Sequence, residues 1–168
     1  MGRKIDKFIL HHSVSSWGDG DTVKKWHMDK KPLGNGWRAP GYHVVICNDF
    51  PNYNSYSTQK PVNGANGRID RIWSESTIAN GCKYANRNAL HACMIGDFDK
   101  DNPTKEQLES VIRLLVYWCK KYKRSENDIY GHGEMQKKIG REGYSKTCPG
   151  KNVDMDEIRN AVKELLNG

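Results

Sequence analysis

The sequence predicts an α/β fold in which helices flank a central mixed β-sheet. Three short apolar segments have the composition of buried strands, and two longer segments repeat apolar residues at helical spacing. These elements alternate, but not as the regular strand–helix–strand series of an all-parallel sheet. No internal repeat, low-complexity tract or linker interrupts the 168 residues, so we expect a single domain over residues 1–168.

The N-terminal part of the chain contains two predicted strands with a helix between them. Residues 7–12 form an apolar run that ends in two histidines, and residues 42–47 contain a β-branched run typical of a strand covered on both faces. Asp21 is the candidate N-cap of the helix. We expect this helix to end before Lys31, because Pro32 disfavours helical backbone in the residue that precedes it.

The middle of the chain has weaker patterns. Residues 48–67 are rich in Asn, Ser, Tyr, Pro and Gly, and we expect them to be irregular. Residues 68–74 are a candidate short strand, and residues 89–95 form a stronger candidate because they are mainly apolar.

The clearest predicted element is a helix that begins after Thr104. Thr104 and Gln107 have the spacing of a capping box. Apolar residues then recur at steps of three and four over about five turns. They are Leu108, Val111, Ile112, Leu115, Trp118, Cys119 and Tyr122.

The C-terminal part is predicted to form a short extended segment and a last helix. The extended segment covers residues 125–130, and the helix starts near Asp156 with Asp154 as its cap. Asn167 and Gly168 should end the helix. The residues expected to face inward are Met155, Ile158, Val162 and Leu165.

Net charge and hydropathy limit the functional classes. The chain has 27 Lys and Arg against 20 Asp and Glu, a formal net charge of +7 that favours anionic partners such as an anionic cell wall. The lysines are spread along the chain, so we expect no nucleic-acid partner. No apolar run approaches about 18 residues, so we expect no membrane span. Residues 8–10 are too short for the apolar core of a Sec signal, so we expect synthesis in the cytoplasm without one.

The five cysteines are predicted to be reduced. Their number is odd, and no C-x-x-C pair is present. With no Sec signal expected, free thiols that pack as small apolar side chains are favoured over a disulfide framework. They are Cys47, Cys82, Cys93, Cys119 and Cys148.

Three short segments together suggest a metal site. His11-His12-Ser13 ends the first predicted strand, His132 lies between two glycines, and Cys148 precedes Pro149. Each has a common structural explanation when taken alone. Together, however, two imidazoles and one thiolate are a zinc ligand set that leaves a fourth position for water. Adjacent strand residues face opposite sides, so His11 and His12 cannot both ligate one ion, and the apolar pattern does not choose between them.

The segment that contains Cys148 carries a second candidate residue. Pro149 favours extended backbone at Cys148. In extended backbone, residues two apart share a side, so Lys146 and Cys148 would point together. An ammonium group beside a metal could stabilise a developing oxyanion.

These segments resemble the zinc-dependent N-acetylmuramoyl-L-alanine amidases, whose fold is shared by phage endolysins, bacterial autolysins and animal peptidoglycan recognition proteins. The matching segments occur in the family's order over nearly the whole chain. They are residues 8–13, 41–46, 86–90 with Gly96 downstream, 131–134 and 146–150.

The resemblance implies a role for each candidate residue. It makes His11, His132 and Cys148 the ligands of a Zn²⁺ cofactor. Tyr42 matches a tyrosine that hydrogen-bonds near the attacking water or the scissile carbonyl. Lys146 matches a position that is lysine in phage-type enzymes, where it is assigned to stabilising the oxyanion.

The chain also departs from the family. Many relatives have a histidine where this chain has Asn80-Gly81-Cys82, and some bacterial members have a glutamate near the position of Cys93. The segment between His132 and Cys148 is longer than in the compact phage forms. Substrate contacts in these regions cannot be transferred from the family.

Loop aromatic and basic residues are candidates for a groove that binds glycan and peptide. Trp37 and Arg38 are the predicted substrate-binding residues, and Trp17 is a further candidate. The remaining histidines have structural interpretations: His43 and His91 are expected to be hydrogen-bonded core residues. His12 is expected to face away from the metal, and His27 to lie on a helix surface.

The resemblance implies a peptidoglycan amidase, which cleaves the amide bond between N-acetylmuramic acid and L-alanine and so lyses the cell wall. Peptidoglycan is the expected partner, with anionic wall polymers as possible additional ones.

The alternative is a non-catalytic peptidoglycan-binding module, although such modules typically lack the cysteine ligand. A zinc-stabilised nucleic-acid binder is disfavoured because the ligands are too far apart in sequence for a zinc finger. We expect no separate wall-binding domain, and a chain without a Sec signal fits an endolysin released through a holin or an autolysin fragment.

Overall fold

The fold is built on a mixed β-sheet with the strand order β3-β2-β4-β1-β5. The computed structural model describes residues 2–141 and 147–168. Within these ranges the strands are β1 (Lys7–His12), β2 (Val44–Ile46), β3 (Ile69–Arg71), β4 (Ala89–Met94) and β5 (Ile129–Gly131). The α-helices of the same ranges are α1 (Gly20–Met28), α2 (Tyr53–Ser57), α3 (Lys105–Tyr122), α4 (His132–Lys138) and α5 (Met155–Asn167).

The centre of the sheet is parallel. Strand β1 pairs in parallel with β4 and β5, β4 pairs in parallel with β2, and only the pairing of β2 with edge strand β3 is antiparallel. This arrangement confirms the predicted mixed sheet with flanking helices. In parallel strands the carboxyl ends meet at one edge of the sheet, where open α/β sheets commonly bind ligands.

Alternation along the central strands separates two different faces. One face carries Phe8 and Leu10 of β1 with Leu90 and Ala92 of β4, and it packs against α3 and α5 in the main apolar core. The opposite face carries Ile9, which packs in a smaller cluster with the loop before β4 and with α4. Because side chains alternate, His11 lies on this second face with Ile9.

The long helix α3 confirms its prediction. Its N-cap is Thr104, which forms the capping box with Gln107. Trp118 and Cys119 are buried as expected, whereas Leu108 and Ile112 are only partly buried.

Helix α5 confirms Asp154 as the cap, since its side chain accepts from the backbone of Asp156 and Glu157. The prediction that Leu165 faces inward is wrong, because this side chain is 53% exposed. Leu166 packs against the core instead. The inward face of the helix continues four residues after Val162, at Leu166.

The cap of α1 differs from the prediction. Asp19, and not Asp21, is the N-cap, because the Asp19 carboxylate accepts from the backbone N–H of Thr22 at 2.9 Å. Asp21 lies inside the first turn. The helix ends at Met28, before Lys31 as expected.

Two short helices were not predicted. Residues 48–67 are not irregular throughout, because they contain α2, which is capped by the Asn52 side chain. Helix α4 is only 7 residues long, and Met135 is its buried apolar residue, so its periodicity is too weak to detect. The Glu134 side chain accepts from the backbone N–H of Gly131 at 2.7 Å. A glutamate three residues after Gly131 was therefore a local sequence signal for the start of this helix.

The strands β2 and β3 are shorter than the predicted segments 42–47 and 68–74.

All five cysteines are free, and all except the half-buried Cys148 are buried, which confirms their predicted state. In the part of the chain that the structure describes, none of the helices combines the length and apolar content needed to cross a membrane.

Candidate metal centre

The three predicted ligand residues come together at the carboxyl edge of the sheet. His11 is near the end of β1, His132 begins α4 directly after β5, and Cys148 lies in a turn that follows α4. One side-chain donor atom from each residue lies within 4.8 Å of the donor atoms of the other two. The Cys148 Sγ and the His11 Nδ1 are 3.9 Å apart.

Backbone contacts hold the turn with Cys148 against the start of α4. The backbone N–H of Gly133 donates to the Cys148 carbonyl at 2.8 Å. Gly131 permits this approach, because a Cβ at that position would lie 2.8 Å from the Pro149 Cδ. The two candidate ligand residues His132 and Cys148 are therefore fixed relative to each other by main-chain packing.

The electrostatics of the three side chains fit a metal ion. Burial, together with the neighbouring imidazoles, holds the pKa of His11 well below its usual value, and burial lowers the pKa of His132 to about 4. Both rings are therefore neutral near pH 7, as metal ligation requires. Burial raises the pKa of the Cys148 thiol to about 12, so binding of a metal ion would release its proton.

The spacing also fits zinc. A nitrogen and a sulfur bound to one tetrahedral zinc are about 3.6 Å apart, given bond lengths of about 2.1 and 2.3 Å. The observed 3.9 Å between the His11 Nδ1 and the Cys148 Sγ is close to this value. The donor set of two imidazoles and one thiol thus could hold zinc with small adjustments.

The structure separates His12 from His11. The His12 Nδ1 accepts from the backbone N–H of Phe98 at 3.1 Å, and the His12 ring stacks on the Phe98 ring. The His12 ring is thus directed at Phe98 and is not one of the three clustered donors, although His12 contributes to the lining of the cavity beside them.

The core histidines His43 and His91 are buried and hydrogen-bonded, as expected. The His43 Nδ1 accepts from the backbone N–H of His91 at 3.0 Å. Sequence reasoning did not anticipate that His91 also contacts the candidate ligand His11: the His91 Nδ1 lies 3.0 Å from the His11 Nε2.

The three residues open into a cavity of about 400 Å³. Tyr42 lines this cavity, with its ring centroid 4.9 Å from that of His11. Burial raises the pKa of the Tyr42 hydroxyl well above its usual value, and the Cys93 and Cys148 thiols add to the effect. The phenol is therefore a neutral hydrogen-bond donor. Lys146 lies outside the described residues.

His27 and Trp37 form one wall of the cavity. Their rings stack at 4.9 Å with an interplanar angle of 13°, and Trp37 is 41% exposed. The expectation that His27 lies on a helix surface is wrong, because its ring is half-buried and its Nδ1 accepts from the backbone N–H of Gly41. The predicted substrate-binding residue Arg38 is exposed and is not among the residues that line this cavity. Trp17 is not among them either, and its ring packs against Trp26.

Asp99 is a cavity residue that sequence reasoning missed. Its carboxylate accepts from the Thr147 hydroxyl at 2.8 Å and from the backbone N–H of Lys151 at 2.9 Å. These bonds connect the segment after β4 to the turn that carries Cys148. No local pattern could reveal a contact between residues so distant in sequence.

Comparison with protein families yields a match that covers most of the chain. Residues 1–151 match the family model described as N-acetylmuramoyl-L-alanine amidase. A comparison with curated protein sequences finds no match.

Solved structures show the same fold. The N-acetylmuramoyl-L-alanine amidase LysC from Clostridium intestinale is 24% identical, with a TM-score of 0.70 over 94% of this chain and 84% of that chain. The endolysin amidase LysCS from the same species is 25% identical, with a TM-score of 0.66 over 94% and 82%. A mutant of Drosophila PGRP-LB in complex with tracheal cytotoxin is 18% identical, with a TM-score of 0.64 over 94% and 81%.

Proposed function

The chain belongs to the N-acetylmuramoyl-L-alanine amidase family, and we propose that it hydrolyses the amide bond between N-acetylmuramic acid and L-alanine in peptidoglycan. The observation that carries this proposal is the cluster of His11, His132 and Cys148 at the cavity, all within the matched segment. The alternative of a binding module without activity is less well supported, because a complete set of three ligand residues is present.

We propose that His11, His132 and Cys148 hold a zinc ion. When bound, zinc polarises a carbonyl and lowers the pKa of water to near neutrality, which is the chemistry that hydrolysis of an amide requires. His11 would bind through Nδ1, since this atom faces Cys148 while its Nε2 faces His91.

The proposed role of Tyr42 is to donate a hydrogen bond at the reacting carbonyl. Its hydroxyl remains protonated at neutral pH and its side chain lines the cavity, so it can stabilise negative charge as it develops on the substrate oxygen. Lys146 is proposed to supply a positive charge to the same oxygen, which rests on its place in the family motif two residues before Cys148.

Peptidoglycan is proposed to occupy the cavity beside the metal site. The ring of Trp37 offers an apolar surface to a sugar or to the stem peptide, and Arg38 next to it is proposed to contact the same substrate. The complex of PGRP-LB with tracheal cytotoxin supports a ligand of this kind. The proposal implies that the protein acts on the bacterial cell wall, and the net charge of +7 suits anionic wall polymers.

The test is mass spectrometry of the products released from purified peptidoglycan. We expect new free amino termini on L-alanine, their loss after chelation, and their return when zinc is added. If the zinc-loaded protein binds peptidoglycan without cutting it, the amidase proposal is wrong and the binding module is correct. Cleavage at another bond would contradict both.

A further inference from the structure

His91 lies in the middle of β4 and is fully buried, and it contacts His11 of the candidate metal centre. Its Nδ1 is 3.0 Å from the Nε2 of His11, which is the ring nitrogen on the far side from Cys148. The register of the sheet explains this contact, because the partner of His91 in β1 is Ile9 and His11 is two residues further along the same face.

Metal ligation determines the direction of this hydrogen bond. If His11 offers the lone pair of Nδ1 to a metal ion, its Nε2 must carry the ring proton. The His11 Nε2–H then donates, and the His91 Nδ1 accepts. A ligating histidine whose second nitrogen donates in this way has a fixed tautomer and ring orientation.

His91 is itself held in place by His43. The backbone N–H of His91 donates to the His43 Nδ1 at 3.0 Å, and the rings of His43 and His91 are parallel within 3°. The His43 Nε2 in turn donates to the Thr77 carbonyl at 3.1 Å. Gly81 leaves room for the ring, because a Cβ at that position would lie 2.5 Å from the His91 Nδ1.

Among the described residues, the His91 side chain has one polar contact, and it is with His11. This contact pairs the His91 Nδ1, whereas the His91 Nε2 is buried without a hydrogen-bond partner among the described residues. An apolar residue here would remove the unpaired His91 Nε2, but it would leave the buried His11 Nε2 without its hydrogen-bond partner. The imidazole therefore needs an explanation beyond packing.

We propose that His91 is a positioning residue of the metal centre: its Nδ1 accepts the proton of the His11 Nε2 and so turns the His11 Nδ1 toward His132 and Cys148. This inference rests on the zinc site of the proposed function. It does not depend on which bond the protein cleaves.

Two substitutions of similar shape separate the hydrogen bond from packing. In His91→Asn, the amide oxygen can take the place of the Nδ1 acceptor, whereas His91→Leu has nearly the same volume without an acceptor. We measure zinc affinity by competition with a chromophoric chelator, the absorption bands of the cobalt-substituted protein, and the melting temperature of the metal-free protein. We expect H91L to bind zinc about 10- to 100-fold more weakly with altered cobalt bands, and H91N to retain most of the affinity.

Two results would overturn the proposal. In one, H91L binds zinc as tightly as the unmodified protein, and only its melting temperature falls, which is the behaviour of a packing residue. In the other, H91N loses as much affinity as H91L, which shows that the acceptor has no effect.

A measurement on the unmodified protein covers the case in which H91L does not fold. In the zinc-loaded protein labelled with ¹⁵N-histidine, we expect a proton on the His11 Nε2 and a scalar coupling across the hydrogen bond to the His91 Nδ1. A proton on the His91 Nδ1 would contradict the inference. None of these measurements uses peptidoglycan, so an absence of cleavage would contradict the proposed function and leave this inference intact.

Discussion

At the level of single residues, burial controls the charge of the metal centre. The imidazoles of His11 and His132 are kept neutral and the Cys148 thiol is kept protonated, so the site without metal carries no buried charge. A divalent ion would convert the thiol to a thiolate whose charge it neutralises in part. Low pH therefore opposes metal binding through competition by protons.

Another single residue, Glu75, connects a surface loop to α3. Its carboxylate accepts from the Trp118 Nε1 at 2.8 Å, from the Lys121 Nζ at 2.7 Å and from the Tyr122 hydroxyl at 2.6 Å. Burial alone would raise the pKa of Glu75, but the hydrogen bonds from these three donors outweigh it, and the net pKa is lowered.

Because the pKa of Glu75 is lower in the folded than in the unfolded chain, its contribution to stability is present above the unfolded pKa and is lost as the pH falls through the folded pKa. We expect Glu75→Gln to lower the free energy of unfolding at pH 7 by about 1.5–3 kcal/mol, the range for hydrogen bonds to charged groups. The difference should shrink as the pH falls below about 4.3, the pKa of a glutamate in the unfolded chain. Urea unfolding of both proteins at pH 7 and at an acidic pH measures it.

Glu109→Gln is the matched control, since Glu109 forms an exposed ion pair with Lys105 and should contribute little. A loss from Glu75→Gln of equal size at both pH values would show that the charge of the carboxylate is not responsible.

At the level of secondary structure, hydrogen bonds at the ends of elements fix the position of the candidate ligand His132. Glu134 caps the start of α4 through the Gly131 backbone, and Arg159 of α5 binds the same carboxylate at 2.9 and 3.0 Å. Arg159 also donates to the Ile129 carbonyl of β5. The first residue of α4, His132, is therefore tied to both neighbouring elements.

The N-cap of α1 gives a direct test of helix placement. Asp19→Ala removes the acceptor for the Thr22 N–H, and we expect it to lower the free energy of unfolding by about 1 kcal/mol. Asp21→Ala removes the same group two residues later, where no cap depends on it. Chemical denaturation of the two variants measures the difference. An equal or larger loss from Asp21→Ala would place the cap where the sequence predicted it.

At the level of the whole molecule, the candidate metal site joins distant parts of the chain. Its donors come from β1, from the start of α4 and from the turn at Cys148, which the unfolded chain does not hold together. An ion that binds only the folded state stabilises it by mass action. Zinc held by this cluster would therefore stabilise the whole fold.

We expect zinc at about 100 times its dissociation constant to raise the melting temperature by roughly 5–10 °C. Cys148→Ala should abolish this shift. Cys119→Ala is the matched control, since it removes a free buried thiol in the main core away from the site and should retain the shift. Differential scanning calorimetry with and without zinc measures both. An equal shift in Cys148→Ala would exclude Cys148 as a ligand.

Much of the fold could be predicted because its signals are local. The capping box at Thr104 and the cap at Asp154 involve residues within one turn, and apolar periodicity identifies α3 and α5. Short elements such as α4 escaped because a 7-residue helix has too few periodic positions. The Leu165 prediction failed because Leu165 and Leu166 are adjacent apolar residues, so the helical spacing from Val162 could continue at either one, and packing placed Leu166 against the core.

The amino-acid sequence alone determined the mixed α/β class, the main helices and the residue types that match the amidase family. Tertiary structure decided how the site is supported: it placed His91 behind His11, His27 beside Trp37, and Asp99 against the turn that carries Cys148. The reason is physical. Periodicity and capping depend on neighbours in the chain, whereas His11 and His91 are 80 residues apart and meet only because parallel pairing of β1 and β4 puts them on one face.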